Sequence, residues 1–364
     1  MPSEENGAAT PETTAPPSSS ETQPVIAVDA MGGDHGPSVV IPGAIRAARE
    51  GDFKIILLGD EKRIRHELDK LGPCPEAEIL HTSQVAAMGE KPSDVLRRKK
   101  DSSIQQAFAI VKEGRAHGVV SAGNSGATVA CGMFILGRID GVERPALASI
   151  MQTEHAPMVL VDVGANVDCK PYHLFQFGIM ADVLARDVLG IERPRVGLLS
   201  IGEEEGKGNL QVKEAFELFK MTAMNFVGNV EGRDIFTGDV DVVVCDGFVG
   251  NVALKLSEGL CTSLSRMLKR ELMRSLPARL GASLVAGALK RFARLVDYAE
   301  YGGAPVLGLQ GIAIVCHGAS NEKAIKSACS MAATYVRKET NDHLMAELSA
   351  NEELSRFGKA AMKL

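Results

Sequence analysis

What this chain lacks narrows its class first. Its 364 residues include no Trp and only 4% aromatic residues, and its formal net charge is -6. A nucleic-acid binder would want a basic surface and stacking rings, so that class is excluded. The seven Cys are scattered, odd in number and form no C-x-x-C pair, which argues against a disulfide framework or a zinc site and fits a reducing cytoplasm. No apolar run approaches the roughly 18 to 20 residues that span a bilayer. The nearest, 280–289, is interrupted by Gly281 and Gly287. Residues 1–23 are Pro, Ser, Thr, Glu and Ala with almost nothing apolar; they hold no signal-peptide core, cannot repay their ordering entropy, and are expected to form a disordered tail. A dinucleotide fingerprint is missing too, because Gly32, Gly33 and Gly36 do not fit G-x-G-x-x-G.

What is present is an ordinary globular composition, 45% hydrophobic with a mean hydropathy of +0.03. That suffices for one large core or two lobes. From Pro24 onward, apolar β-rich runs at 25–28, 54–58, 77–80, 118–120, 158–161, 195–199 and 240–245 alternate with helical patterns. Such alternation implies an α/β fold with a mainly parallel sheet and helices on both faces, whose ligands gather at the carboxyl ends of strands. One catalytic domain over 24–348, a basic amphipathic segment at 259–297 and a tail at 349–364 are expected.

The residues after each run are therefore where chemistry is sought. Gly123-Asn-Ser-Gly126 turns a strand directly into a helix. Amides from Ser125 to Thr128 would point outward at the positive helix end, a ready site for an oxyanion; alternatively Asn124 or Ser125 only caps the helix. Asp29-Ala-Met-Gly-Gly-Asp-His35 follows the first strand, and Gly33, Asp34 and His35 either flank a substrate or form a turn. In Val161-Asp-Val-Gly-Ala-Asn-Val-Asp168, Asn166 and its acidic neighbours orient a substrate or close a hydrogen-bonded turn, without the order of an EF-hand loop. Gly202-Glu-Glu-Glu-Gly-Lys-Gly-Asn209 looks like a P-loop but is one residue short of it; Lys207 between glycines at a helix start suits an anion. Asp246 and Asn251 follow another strand, where Cys245 reads as a small buried hydrophobe. His317 stands where the run 312–316 gives way to a helix ending near Leu348, a place suited to proton transfer.

Two stretches are locally basic. Arg97 to Lys100 form either a solvated face or an attractor for an acidic protein, before a helix opened by a capping box of Ser102 and Gln105. Arg266, Lys269, Arg270, Lys290 and Arg291 recur among Leu, Met and Ala at helical spacing, giving two helices broken by Pro277 and Gly281. These form a dimer seam or meet anionic lipid or an acidic partner.

In order, Asp29-Ala-Met-Gly-Gly-Asp, Lys91-Pro-Ser, Lys100-Asp-Ser-Ser, Ser121-Ala-Gly-Asn-Ser-Gly-Ala, Val161-Asp-Val-Gly-Ala-Asn-Val-Asp-Cys-Lys-Pro, Asn225-Phe-Val-Gly-Asn-Val-Glu-Gly-Arg-Asp, Asp246-Gly-Phe-Val-Gly-Asn-Val and Tyr301-Gly-Gly-Ala-Pro resemble the bacterial phosphate acyltransferases of the PlsX family. The resemblance runs from about Val25 to about Arg337. It implies a three-layer α/β/α fold akin to phosphotransacetylases and isopropylmalate dehydrogenases, in a homodimer held peripherally on the cytoplasmic membrane. It also implies the reaction, in which phosphate attacks the thioester of a long-chain acyl group on acyl carrier protein to give acyl phosphate. No metal, nucleotide or other cofactor is required. Asn124, Ser125, Gly126 and Thr128 are then expected to hold phosphate with Lys207 offsetting its charge, and His317 to hand a proton to the departing thiolate with Asp246 or Asn251 orienting it. The basic patches become surfaces for the acidic carrier, for anionic membrane or for a downstream glycerol-phosphate acyltransferase. The rival readings are an NAD-dependent dehydrogenase on the related fold and a non-catalytic membrane scaffold.

Overall fold

The computed structural model describes residues 23–295, 301–354 and 356. The expected N-terminal tail, the end of the basic segment and most of the expected C-terminal tail lie outside them. The chain opens β1 Val25–Asp29, α1 Pro37–Gly51, β2 Lys54–Gly59, α2 Glu61–Leu71, β3 Ala77–His81, α3 Pro92–Arg98, α4 Ser103–Lys112 and β4 Gly118–Ser121. Next come α5 Ser125–Cys131, whose last turn widens into a π-helix over Gly132–Leu136, then β5 Ala146–Met151, β6 Met158–Val161, α6 Pro171–Leu189, β7 Val196–Leu199, α7 Leu210–Lys220, β8 Phe226–Val230 and β9 Val242–Val244. It continues with α8 Gly247–Leu272, α9 Leu276–Leu284, α10 Ala286–Leu295, β10 Ala304–Leu307, β11 Ile312–Val315, α11 Glu322–Arg337 and α12 Thr340–Ala350.

The strands form one eleven-stranded sheet in the order β3-β2-β1-β4-β11-β10-β5-β6-β9-β7-β8. The five strands from β3 to β11 are mutually parallel, as are the four from β6 to β8. Between them β10 pairs antiparallel with β11 and β5, and β5 antiparallel with β6. Three successive reversals leave the two parallel sets pointing in opposite directions. Their carboxyl ends, where ligands collect, therefore lie at opposite ends of the two antiparallel strands.

Side-chain alternation sorts the core by sheet face. One face carries a continuous core from Ile26, Val28 and Ile55 through Ala146 and Ala148 to Val242 and Val244, packed under α1, α6, α11 and α12. The first fifteen residues of α6 are all buried, as expected of a helix apolar on all sides. On the other face the core is split: Ala27, Leu58, Val119 and Ala313 pack with Phe108 of α4, whereas Leu160, Val243 and Cys245 form a separate cluster. The gap between these clusters, over β5 and β10, is where a cleft opens.

Some local expectations are corrected. The helix expected to run to Leu348 breaks at Glu339, which adopts φ 52°. The helix expected to break at Gly281 contains it; the breaks fall at 273–275 and at Val285. Ser102 precedes α4 but makes no capping bond: its hydroxyl donates to the Lys99 carbonyl, while Gln105 Nε2 donates to those of Val95 and Lys99.

Candidate active site

Three turns meet at the carboxyl ends of the neighbours β1, β4 and β11. The Asp34 amide donates to the Gly318 carbonyl at 2.8 Å, tying the first to the third. A Cβ on Gly32 would stand 2.6 Å from the Gly123 nitrogen, so backbone meets backbone only because residue 32 has no side chain. Beneath them Asp29 is buried; its Oδ2 accepts the Ser121 hydroxyl at 2.8 Å, its Oδ1 accepts the Met31 amide at 3.3 Å, and Ser121 Oγ accepts the Gly123 amide at 3.1 Å. Burial raises the Asp29 carboxyl above its ordinary range, partly opposed by the hydroxyls of Ser103 and Ser121.

The second strand set repeats the device. Asp162, just past β6, accepts the amides of Leu147, Ala165 and Asn166 at 3.0, 3.0 and 2.6 Å, and the Asn166 side chain at 2.9 Å. Burial raises this carboxyl too, against those bonds. The start of α8 packs onto this knot so closely that a Cβ on Gly250 would fall 1.9 Å from the Asp162 carbonyl oxygen. Asp246 caps the helix by accepting the Val249 amide at 2.9 Å. The Asn251 side chain then lies against Gly164.

A cleft of about 970 Å³ joins the two ends. Asp34, Ser125 and His317 line it from the first set, Gly164 and Asn251 from the second, and Leu147, Ile150 and Met151 of β5 supply an apolar floor. The far wall is one face of α8, at Asn251, Leu254, Glu258, Cys261 and Ser265, a spacing of three and four residues that puts them on one stripe. Tyr301 and Gln152, also in the wall, share a 2.9 Å hydrogen bond. His317 Nδ1 accepts the Ala319 amide at 3.1 Å, which assigns the proton of the neutral ring to Nε2.

The expected residues divide. Asp34, Ser125, Asn251 and His317 share the cleft, and Arg266 reaches its rim. Asn124 is spent on structure: its Oδ1 accepts the Ala127 amide, and its Nδ2 donates to the carbonyls of Met88 and Glu90, both at 2.8 Å. Thr128 is buried with its hydroxyl on the Asn124 carbonyl. Of the four amides expected free between Ser125 and Thr128, two are consumed by this cap and the helix, leaving those of Ser125 and Gly126. Asn166 is held in the Asp162 knot and Asn209 caps α7. Gly33 and His35 sit in the first turn without lining the cleft. Lys207, expected beside Ser125 and His317, lies instead on the exposed loop after β7, outside the cleft wall; its glycine loop is held through the backbone at Glu204. Arg97, Arg98, Lys269, Arg270, Lys290 and Arg291 are exposed or nearly so. Cys245 and Cys316 are buried; burial pushes the Cys316 thiol up to about 12 and Cys245 well above its usual value, so neither is a thiolate. Among the described residues no group of three His, Cys, Asp or Glu is placed to hold a metal ion.

Sequence reading missed Gln152, Tyr301 and the α8 stripe. The stripe's period was available, but its small polar side chains gave no cause to prefer that face.

Fold comparison gives the class first. A phosphotransacetylase from Streptococcus pyogenes superposes with a TM-score of 0.59 at 18% identity, covering 86% of this chain and 94% of that one. A branched-chain phosphotransacylase from Enterococcus faecalis V583 gives 0.54 at 13%, covering 86% and 99%. The chain thus has the mixed α/β architecture of the phosphotransacetylases. By sequence it matches the fatty acid synthesis protein family over residues 25–343. It is 68% identical over 339 residues to a phosphate acyltransferase of Nitratidesulfovibrio vulgaris, covering 92% of this chain and 98% of that one. The corresponding figures for that of Oleidesulfovibrio alaskensis are 69% over 343 residues, 94% and 99%. The chain belongs to the phosphate acyltransferase family of fatty acid synthesis proteins.

Proposed function

We propose that this chain moves a long-chain acyl group from acyl carrier protein to inorganic phosphate, giving acyl phosphate for phospholipid synthesis. The observation that carries the reading is a single cleft, in a chain of this family, that gathers Asp34, Ser125, Asn251 and His317 over an apolar floor. A phosphate oxygen bonds to the thioester carbonyl carbon, the carbon–sulfur bond breaks, and the thiolate leaves with a proton. Phosphate is anionic at neutral pH and needs no acylated side chain; positioning and stabilisation of the oxyanion lower the barrier.

The free amides of Ser125 and Gly126 receive phosphate at the positive end of the helix. Lys207, on its exposed loop outside the cleft wall, is not placed to neutralise that phosphate, and the positive helix end carries the charge. The His317 Nε2–H donates a hydrogen bond to the leaving sulfur, which takes the proton that the attacking hydrogenphosphate gives up, and the Asn251 amide orients the thioester. Asp34, an acid, suits the proton-handling side of the cleft rather than the anion.

Arg97, Arg98, Arg266, Lys269, Arg270, Lys290 and Arg291 attract the acidic carrier and an anionic membrane surface. A separate stripe on α8, at Val249, Val252, Leu256 and Leu260, is 40–69% exposed; it pairs with a second copy in a homodimer. Among the described residues no helix is long and apolar enough to cross a membrane, and the contact proposed is peripheral, on the cytoplasmic side, where product passes to a glycerol-phosphate acyltransferase.

The test is acyl phosphate formation from hexadecanoyl carrier protein, trapped as the hydroxamate. Product that depends on added phosphate supports the reading. Vesicle binding without product would favour a scaffold, and fluorescence transfer to bound NADH a dehydrogenase.

A further inference from the structure

The cleft does not end at the polar groups. At Cys261 and Ser265 it shares its wall with a second groove of about 400 Å³, lined by Leu264, Met267 and Leu268 of α8 and Phe292 of α10. We infer that this groove is the far end of an acyl-chain subsite, and that the junction at Cys261 and Ser265 decides how long a chain the enzyme accepts. The inference rests on the acyl-transfer reading above.

Two observations carry it. The first is continuity: the stripe of α8 that holds Asn251 at the reacting end leads through Leu254 and Cys261 into a groove that is apolar nearly throughout. An apolar groove opening from a polar cleft fits a ligand with one polar end and a long apolar one. The second is length. At about 1.5 Å per residue, Cys261 stands ~15 Å from Asn251 along the helix and Leu268 ~25 Å. A lipid chain, bent as it is in a fluid bilayer, still fills half of a hydrocarbon core about 30 Å thick, or ~15 Å. A long acyl chain whose thioester sits at Asn251 therefore reaches the junction even when bent and passes it into the groove when extended, while a short one stops near Leu254 and Glu258.

Added bulk at the junction must then penalise long chains alone. We expect Cys261→Phe and Ser265→Phe each to lower kcat/KM for hexadecanoyl carrier protein by about tenfold or more, the scale of displacing apolar groups from a fitted pocket, and to leave octanoyl carrier protein within about threefold of the unmodified enzyme. In the unmodified protein, hexadecanoyl donor should shield the Cys261 thiol from N-ethylmaleimide, read by mass spectrometry, and octanoyl donor should not. Equal losses at every chain length, unchanged selectivity, or equal shielding by both donors would overturn the subsite. Failure of the unmodified enzyme to form acyl phosphate from any donor would instead remove the acyl-transfer reading itself.

Discussion

At the scale of single residues, two buried carboxylates do equivalent work at opposite ends of the sheet. Asp29 gathers the Ser121 hydroxyl and the Met31 amide, and Asp162 gathers amides from Leu147 to Asn166; each freezes a turn that borders the cleft. Lys207 behaves differently. Its side chain holds no turn together and lies outside the cleft, so Lys207→Ala should leave the melting temperature unchanged and the KM for phosphate within about twofold of the unmodified protein; steady-state kinetics against phosphate checks this. A third buried acid, Asp182, pairs with Arg186 at 2.9 Å within α6, and Arg186 also reaches Glu347 of α12 at 2.8 Å, yet burial, with Glu347 nearby, raises the Asp182 carboxyl from 3.8 to about 6. Between those values the folded chain keeps a proton that the unfolded chain gives up, so this group's contribution to stability falls as pH rises from about 4 to about 6. Asp182→Asn should accordingly gain in melting temperature relative to the unmodified protein as pH passes from 5 to 7, measured by calorimetry. A difference that stayed constant or shrank would contradict the assignment.

At the scale of elements, helix starts hold the site together. Asn124 closes the first turn of α5 and pins the 87–90 loop through two carbonyls, so Asn124→Ala should cost about 0.5–2 kcal/mol, the range for a lost helix cap, because the freed carbonyls can turn to water; denaturant unfolding measures it. These caps were legible because Asn and Asp before an apolar helical run are local signals. Whether such a side chain is spent on its helix or offered to a ligand was not, since that depends on what the fold packs against it. Most strands of the two parallel sets were legible for a related reason: parallel strands buried on both faces read as unbroken Val, Ile and Leu runs. The runs did not disclose β5, β8 and β10. β10 includes Pro305, β8 includes Gly228 and Asn229, and β5 is Ala-Leu-Ala-Ser-Ile-Met. Pairing with distant neighbours, rather than intrinsic preference, makes these strands. The break between α11 and α12 at Lys338 and Glu339, both good helix formers, likewise had no local mark.

At the scale of the whole molecule, the three strand reversals in the middle of the sheet turn a doubly wound fold into one with two opposed ligand-binding edges and a cleft between them. That arrangement was invisible in the sequence because it depends on the very strands the pattern hid. The same scale holds the exposed stripe of α8. If it pairs with a second copy, light scattering should report about twice the 38.7 kDa of the chain, and Leu256→Glu with Leu260→Glu should return the mass to that of one chain. The central claim is that phosphate attacks the thioester directly within the cleft, without an acylated enzyme group; Cys316, a cleft-wall thiol that burial keeps protonated, offers no ready nucleophile. The most direct measurement is exchange of labelled carrier protein into unlabelled acyl carrier protein. The account predicts exchange when phosphate is present and none when phosphate is removed, whereas exchange without phosphate would reveal an acyl-enzyme and contradict it.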